Sequence, residues 1–478
     1  MFAGLAEVLE LLKDSPVQIE ALPEGEYFSP KEVVMRIRGP YGAFGYHETN
    51  LLGILSSSCA WATAARECVE AAGGKAVLSF GARHLHPAVA PVMEAIAVKF
   101  GGCAGASCIL GAKLLGREPA GTIPHAAVLI MGDTVKLAQV VPDICPREKE
   151  FQNIMKPMRD DLVRIIHGDA EEYTAVLFCG SGTICIDIAL NSLLDEGKKA
   201  CIINNGAYSQ RAVDVVNSYG IPLIEIKQPI DQLPDLDVIE NVLKDNKDIG
   251  YVYVTHHETG TGLLNPIRKI GALAHKYGTI MITDTTSSYA MIPIDVYRDN
   301  IDFCMASAQK GIMGMTGLSY IIGRRNIIEE SKEYPKRSYY CNLYMQYEYF
   351  EKTGEMHFTP PVQTIYAAKQ AIKEYFEEGE EAKWARHKRV MQAIHDGEDE
   401  MGLREALDRE IQSGLVSSVC YPDDSNWDFD KVHDYCYERG FTIYPGKIDG
   451  RDTFRLCALG AIDEQDIKDF FVVFKEAF

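Results

Sequence analysis

Short apolar runs rich in β-branched residues alternate with amphipathic stretches between residues 174 and 323. The runs are TAVLFC (174–179), ACIIN (200–204), IPLIEI (221–226), YVYVTH (251–256), TIMITD (279–284), DFCMAS (302–307) and LSYIIG (318–323). Strands that alternate with helices along a chain usually form a mostly parallel sheet with helices on both faces. The pattern therefore predicts an α/β domain around one mostly parallel sheet of seven strands.

The pattern changes after about residue 329, where aromatic and charged residues replace the apolar runs. A helix-rich acidic stretch follows from about residue 363 to residue 410. The segment TFRLCALGAIDEQDIKDFFVVF (453–474) then has the signature of a strand, a turn and a capped helix. We expect a smaller C-terminal α/β domain here.

The first part of the chain has a different character, with short strands, turns and a Gly-rich apolar segment. It ends at VPDICPREKE (141–150), where two prolines and a charge cluster indicate a boundary. A length of 478 residues also favours several folding units. We predict three domains: an extra N-terminal α+β domain over 1–140, a large domain over 141–330 and a small domain over 331–478.

Charge and cysteine usage narrow the range of partners. Acidic residues outnumber basic ones, 68 against 48, and the formal net charge of −20 disfavours nucleic acid and anionic membranes. No uncharged apolar run reaches the roughly 18 residues of a spanning helix, and the first residues lack the basic start of a signal peptide. The thirteen cysteines contain no CxxC pair, which is typical of reduced, cytoplasmic thiols without a metal. We expect a cytoplasmic protein with a small-molecule substrate.

Three polar signals follow predicted strands in a fixed order. Gly180–Thr183 (GSGT) opens a helix, and its backbone N–H groups and hydroxyls suit a phosphate. Asp284 ends the strand TIMITD, where ligand-binding groups gather. Lys310 follows the strand DFCMAS. Singly, these also fit a plain turn, a helix cap and a solvated lysine. Together they match a phosphate cradle, a ring-nitrogen carboxylate and a Schiff-base lysine, in the order that a pyridoxal-phosphate (PLP) site requires.

The motifs around these signals resemble the class V aminotransferases of PLP fold type I, in particular the 2-aminoethylphosphonate–pyruvate transaminases. The similar segments are GSGT, NNGAYSQR (204–211), HHETGTGLLNPI (256–267), TDTTSSYAMIPID (283–295), SAQKG (307–311), FTPPVQTIYA (358–367) and TFRLCALG (453–460). They span roughly two thirds of the chain. The resemblance implies the fold type I architecture and PLP as cofactor.

The resemblance also implies a set of cofactor ligands: Ser181, Gly182, Thr183, Thr259, Asp284, Lys310 and Thr359. Lys310 would form the Schiff base and then transfer a proton, and Asp284 would pair with the ring nitrogen, so these two are the catalytic residues. Thr359 would reach the phosphate of the neighbouring subunit's cofactor. A homodimer is therefore expected.

Arg455 corresponds to the family's clamp for the substrate carboxylate, and His256 and Tyr208 are the other candidate substrate contacts. The family's Ile-Gly-Asn after this arginine is Leu456-Cys457-Ala458 here, which leaves the substrate open. The sequence favours an aminotransferase with an amino acid or aminophosphonate donor and a keto-acid acceptor.

The N-terminal segment resembles part of nicotinate phosphoribosyltransferase. The similar elements are LPEG (22–25), Phe80-Gly81-Ala82-Arg83, Gly105-Ala106-Ser107 and Gly121-Thr122-Ile123-Pro124-His125. One interpretation is a structural remnant. The other is an anion or nucleotide site formed by Arg83, His84, Ser107 and His125.

The fusion of these two parts suggests two alternative functions. In the first, the enzyme joins a carbanion derived from S-adenosylmethionine to the nicotinamide ring of NAD, in the manner of PLP enzymes of natural-product pathways. In the second, the chain is a non-catalytic sensor of PLP and nicotinate compounds.

Overall fold

The computed structural model describes residues 1–80, 85–86, 89–117, 133–141, 144–424, 427–446, 448 and 450–477. The chain divides into two compact units, residues 1–127 and residues 128–478. Within the described ranges, every helix is too short or too polar to cross a membrane. The boundaries at residues 140 and 330 stay predictions.

The first unit mixes helices with short strands. Its elements are α1 (Leu5–Leu12), β1 (Gln18–Ala21), β2 (Met35–Arg38), α2 (Glu48–Ala71), β3 (Leu78–Ser79), α3 (Ala90–Lys99), β4 (Gly105–Ala106) and α4 (Ile109–Leu114), with 3-10 turns at Tyr41–Ala43 and Gly45–His47. Strands β1 and β2 pair antiparallel, and β3 and β4 pair parallel. This is the α+β character that the sequence predicts.

The second unit is built on one seven-stranded sheet. Its strands are β5 (Tyr173–Cys179), β6 (Lys199–Asn204), β7 (Leu223–Lys227), β8 (Ile249–Thr255), β11 (Ile280–Asp284), β12 (Phe303–Ser307) and β13 (Leu318–Arg324). They lie in the order β5-β13-β12-β11-β8-β6-β7. Only the two pairings of β13 are antiparallel. The predicted, mostly parallel seven-stranded sheet is confirmed.

Central strands of this sheet are apolar on both faces because helices cover both sides. In β8, for example, Tyr251, Val252, Tyr253 and Val254 are all buried. The helices before the C-terminal part are α5 (Asp133–Leu137), α6 (Lys149–Arg164), α7 (Gly182–Ser192), α8 (Ala207–Ser218), α9 (Leu236–Asp245), α10 (Ile267–Lys276), α11 (Arg325–Glu330), α12 (Leu343–Thr353) and α13 (Val362–Glu378). Two-residue strands β9 (His257–Glu258) and β10 (Leu263–Leu264) form a small hairpin.

The C-terminal part has its own antiparallel sheet, in the order β14-β16-β15. Its elements are α14 (Glu380–Met401), β14 (Val416–Cys420), α15 (Phe429–Glu438), β15 (Tyr444–Pro445), β16 (Thr453–Cys457) and α16 (Glu464–Ala477). Phe454, Phe470 and Phe474 pack in its core. Asp463 accepts hydrogen bonds from the backbone N–H groups of Gln465 and Asp466, which is the predicted helix cap.

Candidate active site

The carboxyl ends of the central strands bring the predicted catalytic residues to one edge of the sheet. Asp284 is the last residue of β11 and pairs in register with Thr255, the last residue of β8. Lys310 follows β12, the other neighbour of β11. Ligand sites of open α/β sheets lie at this edge, so the topology indicates a ligand site here.

A cavity of about 160 Å³ opens at that edge. Its lining residues are Ser181, Gly182, Thr183, Ile186, Tyr208, Arg211, Thr255, His257, Thr259, Asp284, Thr286, Ser287, Gln309 and Lys310. The structure therefore brings together the predicted phosphate cradle, carboxylate, lysine and two of their predicted companions, Thr259 and Tyr208. The predicted residues His256, Thr359 and Arg455 do not line it.

The N-terminus of α7 forms one wall of this cavity. Ser181 is its N-cap residue, and the Ser181 hydroxyl makes no capping bond. A Cβ atom at Gly182 would lie 2.8 Å from the methyl carbon of Thr286, so only glycine allows this approach. Arg211 donates from Nη1 to the Thr183 hydroxyl at 2.9 Å. Backbone N–H groups, hydroxyls and a guanidinium together suit a phosphate.

Several buried polar atoms near the cradle have no hydrogen-bond partner among the described residues. They include Thr286 Oγ1, Ser307 Oγ and Gln309 Oε1. Buried polar groups in folded proteins are normally paired. The residues present therefore fit a polar, phosphorylated ligand such as PLP.

Asp284 is buried beside this cradle. Burial raises the pKa of Asp284, although the Thr286 N–H donates to Oδ1 at 2.8 Å and the charges of Lys310 and Arg211 oppose the rise. A carboxylate in such surroundings gains from a cationic hydrogen-bond donor. A protonated pyridine nitrogen meets that need.

Lys310 extends towards the cavity from a rigid segment. Its Nζ lies 5.8 Å from the centroid of the Tyr208 ring. The carbonyl of Lys310 accepts from Met313 N at 2.9 Å, and the carbonyl of Ala308 accepts from Gly314 N at 2.7 Å. The backbone that presents Lys310 is therefore held on both sides.

Glu258 positions Tyr208 and was not predicted from the sequence. Its buried carboxylate accepts the backbone N–H groups of Ser209 at 2.7 Å and Tyr208 at 3.2 Å, at the start of α8. Gly206 makes room for it, because a Cβ there would lie 2.5 Å from the Glu258 carboxyl carbon. Arg211 was missed too, although it lies one helical turn after Tyr208 within the quoted NNGAYSQR motif.

The two adjacent histidines have different surroundings. His257 lines the cavity, and its Nδ1 donates to the Ser287 carbonyl at 3.2 Å. His256 lies outside the lining, with Nδ1 2.9 Å from the Ser288 hydroxyl. Burial lowers the pKa of His256 to about 4 and that of His257 to about 3. Both rings are therefore neutral near pH 7.

Arg455 and Thr359 lie outside the cavity of their own chain. Arg455 is half-buried and donates from Nη1 to the carbonyl of Thr259 at 3.0 Å, which places it next to a lining residue. Thr359 is exposed, and its carbonyl accepts from the Cys179 thiol at 3.4 Å. Of these two residues, Arg455 is the one with a hydrogen bond to a residue that lines the cavity.

Of the four residues suggested for an anion or nucleotide site in the N-terminal segment, Ser107 is the one that the structure describes. Ser107 donates its hydroxyl to the Glu94 carboxylate at 2.7 Å, and such a carboxylate disfavours an anion at this serine. Arg83, His84 and His125 lie outside the described residues.

Comparisons with known proteins agree with this geometry. The family model described as "Aminotransferase class-V" matches residues 127–446. The model described as "Quinolinate phosphoribosyl transferase, N-terminal domain" matches residues 1–59. The predicted likeness of the N-terminal segment to a phosphoribosyltransferase is thereby confirmed for residues 1–59, with a quinolinate enzyme in place of the nicotinate enzyme. The motifs at residues 80–83, 105–107 and 121–125 lie outside the matched range.

Several relatives are identical to the chain at about a third of the aligned positions. The 2-aminoethylphosphonate–pyruvate transaminase of Lysinibacillus sphaericus is 32% identical over 70% of this chain and 91% of its own length. That of Bacteroides fragilis is 33% identical over 73% and 96%. A bifunctional phosphonoacetaldehyde hydrolase/aminoethylphosphonate transaminase of Clostridioides difficile is 34% identical over 69% of this chain, which spans 52% of that longer protein.

Solved structures show the same fold at lower identity. The alanine–glyoxylate aminotransferase of Nostoc sp. has a TM-score of 0.68 at 20% identity, covering 73% of this chain and 92% of that one. The aspartate aminotransferase of Thermus thermophilus has a TM-score of 0.65 at 19% identity, covering 73% and 96%.

Proposed function

The chain belongs to the class V aminotransferases, and on that premise we propose that it transfers the amino group of an aminophosphonate or amino acid to a keto acid, with PLP held by Lys310. One observation carries the proposal. Lys310, Asp284 and the helix N-terminus at Gly182 line a single cavity at the carboxyl edge of the sheet.

Each of these groups has a defined task. Ser181, Gly182 and Thr183 would hold the cofactor phosphate, and Thr259 its phenolic oxygen. Asp284 would keep the pyridine nitrogen protonated. When bound, PLP supplies an electron sink for charge that develops at the substrate carbon.

Lys310 supplies the proton-transfer group. Its Nζ would hold the cofactor through the aldehyde carbon, and the same amine, when not so engaged, would move a proton at the substrate carbon that bears nitrogen. The neutral rings of His256 and His257 are not charged acids near pH 7. We assign the proton transfer to Lys310.

The relatives' names indicate the substrate class. Several are 2-aminoethylphosphonate–pyruvate transaminases, so we propose a small donor with an anionic end and a keto-acid acceptor. Arg455, fixed on Thr259, supplies a guanidinium for an anionic group. Cys457 and Ala458 stand where the family has glycine and asparagine. We propose that these two substitutions make the donor preference of this chain differ from that of the family.

We propose a homodimer as the active form. Thr359 is exposed and outside its own chain's cavity, and Tyr339 and Tyr340 beside the stacked Phe358 are exposed as well. An exposed aromatic surface of this kind suits burial against a second copy. In that arrangement Thr359 would contribute to the partner subunit's cofactor site.

The test is a half-reaction. Purified protein loaded with PLP is mixed with 2-aminoethylphosphonate or with L-alanine, and the visible absorbance of the bound cofactor is followed. We expect a donor to deplete that absorbance and pyruvate to restore it. A Lys310→Ala variant should show neither change.

The same assay separates the alternatives. In a carbon–carbon bond-forming enzyme, NAD and S-adenosylmethionine added together would yield a new product in which a carbon unit of S-adenosylmethionine is joined to the nicotinamide ring, and mass spectrometry would detect it. A sensor would bind PLP and show no donor response. Absence of any donor-driven change would refute the aminotransferase proposal.

A further inference from the structure

A second cavity, of about 360 Å³, lies behind the segment that follows Lys310. Its walls come from α13 and α14, from Ile312 and Met313, and from residues 461–463. The side chain of Lys383, on α14, reaches into this region with only 3% of its surface exposed. The proposed mechanism gives this lysine no task.

Lys383 holds the backbone next to Lys310. Its Nζ donates to the carbonyl of Gly311 at 2.5 Å and lies 5.2 Å from the centroid of the Tyr375 ring. Gly311 also packs tightly on Tyr289, because a Cβ there would lie 1.8 Å from the Tyr289 carbonyl oxygen. The peptide that follows Lys310 is therefore fixed between a buried ammonium and a neighbouring backbone.

Arg386, one turn further along α14, holds a second segment. It donates from Nη1 to the carbonyl of Gly460 at 3.0 Å, and from Nε to Glu378 at 2.7 Å. Gly460 ends the TFRLCALG segment that carries Arg455. One helix thus contacts both the segment of Lys310 and the segment of Arg455.

We infer that Lys383 is a positioning residue for Lys310. By holding the Gly311 carbonyl, Lys383 fixes the direction in which the Lys310 side chain enters the cavity. The inference rests on the role proposed for Lys310. Within the described ranges, no carboxylate lies at ion-pair distance from the Lys383 ammonium, and a buried charge of this kind opposes folding. A function at the site accounts for it better than a contribution to stability.

The hydrogen bond from Lys383 to the Gly311 carbonyl should depend on pH, because the charge of Lys383 does. Burial lowers the pKa of Lys383 to about 8, with Glu378 opposing the shift and Arg386 adding to it. The charged and titratable groups around it are Glu374, Tyr375, Glu378, Arg386, His387 and Asp463. As pH rises through 8 the ammonium loses its charge, and its hydrogen bond to Gly311 weakens.

Three variants test the inference in the full-length protein. Lys383→Met removes the donor, Lys383→Arg keeps a cationic donor, and Lys388→Met alters an exposed lysine of the same helix as a control. The readouts are the half-reaction rate from pH 6.5 to 9.5, the melting temperature, and the rate at which PLP added to cofactor-free protein is trapped on Lys310 by borohydride, measured by mass spectrometry.

We expect Lys383→Met to slow both the half-reaction and the trapping by about tenfold, because small displacements of a reacting group are costly. The donor KM should change little, and the decline in wild-type rate above pH 8 should disappear. Lys383→Arg should recover most of the rate. The melting temperature of Lys383→Met should be no lower than that of the wild type.

Two results would overturn the inference. One is a Lys383→Met variant with wild-type trapping rate and pH profile. The other is a loss of rate that follows a lowered melting temperature and that Lys383→Arg does not recover. If the wild type itself traps no PLP on Lys310, the proposed function fails first and this inference fails with it.

Discussion

Arg211 donates a hydrogen bond from Nη1 to the hydroxyl of Thr183 at 2.9 Å, which links the first turn of α7 to the second turn of α8. Its guanidinium carbon also lies 5.1 Å from the centroid of the Tyr208 ring. The permanent charge of arginine is thereby held at the N-terminus of the helix proposed to bind phosphate.

Replacing Arg211 should therefore weaken cofactor binding. We expect Arg211→Met to raise the Kd for PLP about tenfold to a hundredfold, the range for a lost hydrogen bond to a charged group. Absorbance titration of cofactor-free protein measures it. Arg268→Met, at an exposed arginine on α10, is the control. Equal Kd values for both variants would exclude Arg211 as a phosphate ligand.

The sequence predicted the strands of the sheet and the place of Asp284 and Lys310 at its carboxyl edge for physical reasons. The central strands are continuous apolar runs because both of their faces are covered. Asp284 ends one such run, and Lys310 lies three residues after the end of another. The strand order and the two-residue strands β9 and β10 were not predicted, since pairing across the sheet leaves no local pattern. Glu258 and Arg211 were missed because side-chain direction depends on tertiary packing.

Asp284 should control the rate of proton transfer more than cofactor attachment. We expect Asp284→Asn to lower the half-reaction rate by about 10²–10³-fold, because a neutral amide cannot stabilise a protonated ring nitrogen. The visible absorbance from PLP on Lys310 should persist. Asp237→Asn, at an exposed position on α9, is the control. An unimpaired Asp284→Asn enzyme would contradict the assignment.

Gly206 and Glu258 should be energetically coupled. Gly206 is extended, with φ of 174°, so alanine causes no backbone strain there and the cost comes from contact with the Glu258 carboxylate. We expect Gly206→Ala to lower the free energy of unfolding by about 1–3 kcal/mol, measured by urea denaturation. Adding Gly206→Ala to Glu258→Ala should cost much less. Strict additivity of the two changes would argue against the contact.

Acid should destabilise the protein partly through His257. Its folded-state pKa is lowered to about 3 against an ordinary value of 6.5, so the unfolded chain binds more protons between these limits. Stability is therefore present above pH 6.5 and is lost as pH falls towards 3. We expect His257→Gln to remove roughly 2–3 kcal/mol of the loss between pH 6.5 and 4. Parallel stability curves for variant and wild type would contradict this.

Thr359 gives a direct test of the shared site. If it contacts the partner subunit's cofactor, Thr359→Val should raise the Kd for PLP about tenfold by removing one hydrogen bond to a charged group.

Mixed dimers of Lys310→Ala chains and Thr359→Val chains decide where the threonine acts. The site with an intact lysine then receives its threonine from the other chain if the contact crosses the interface, and from its own chain if it does not. We expect purified mixed dimers to regain one site of wild-type affinity, whereas Thr359→Val homodimers have none. Weak binding at every site of the mixed dimer would show that Thr359 acts within its own chain.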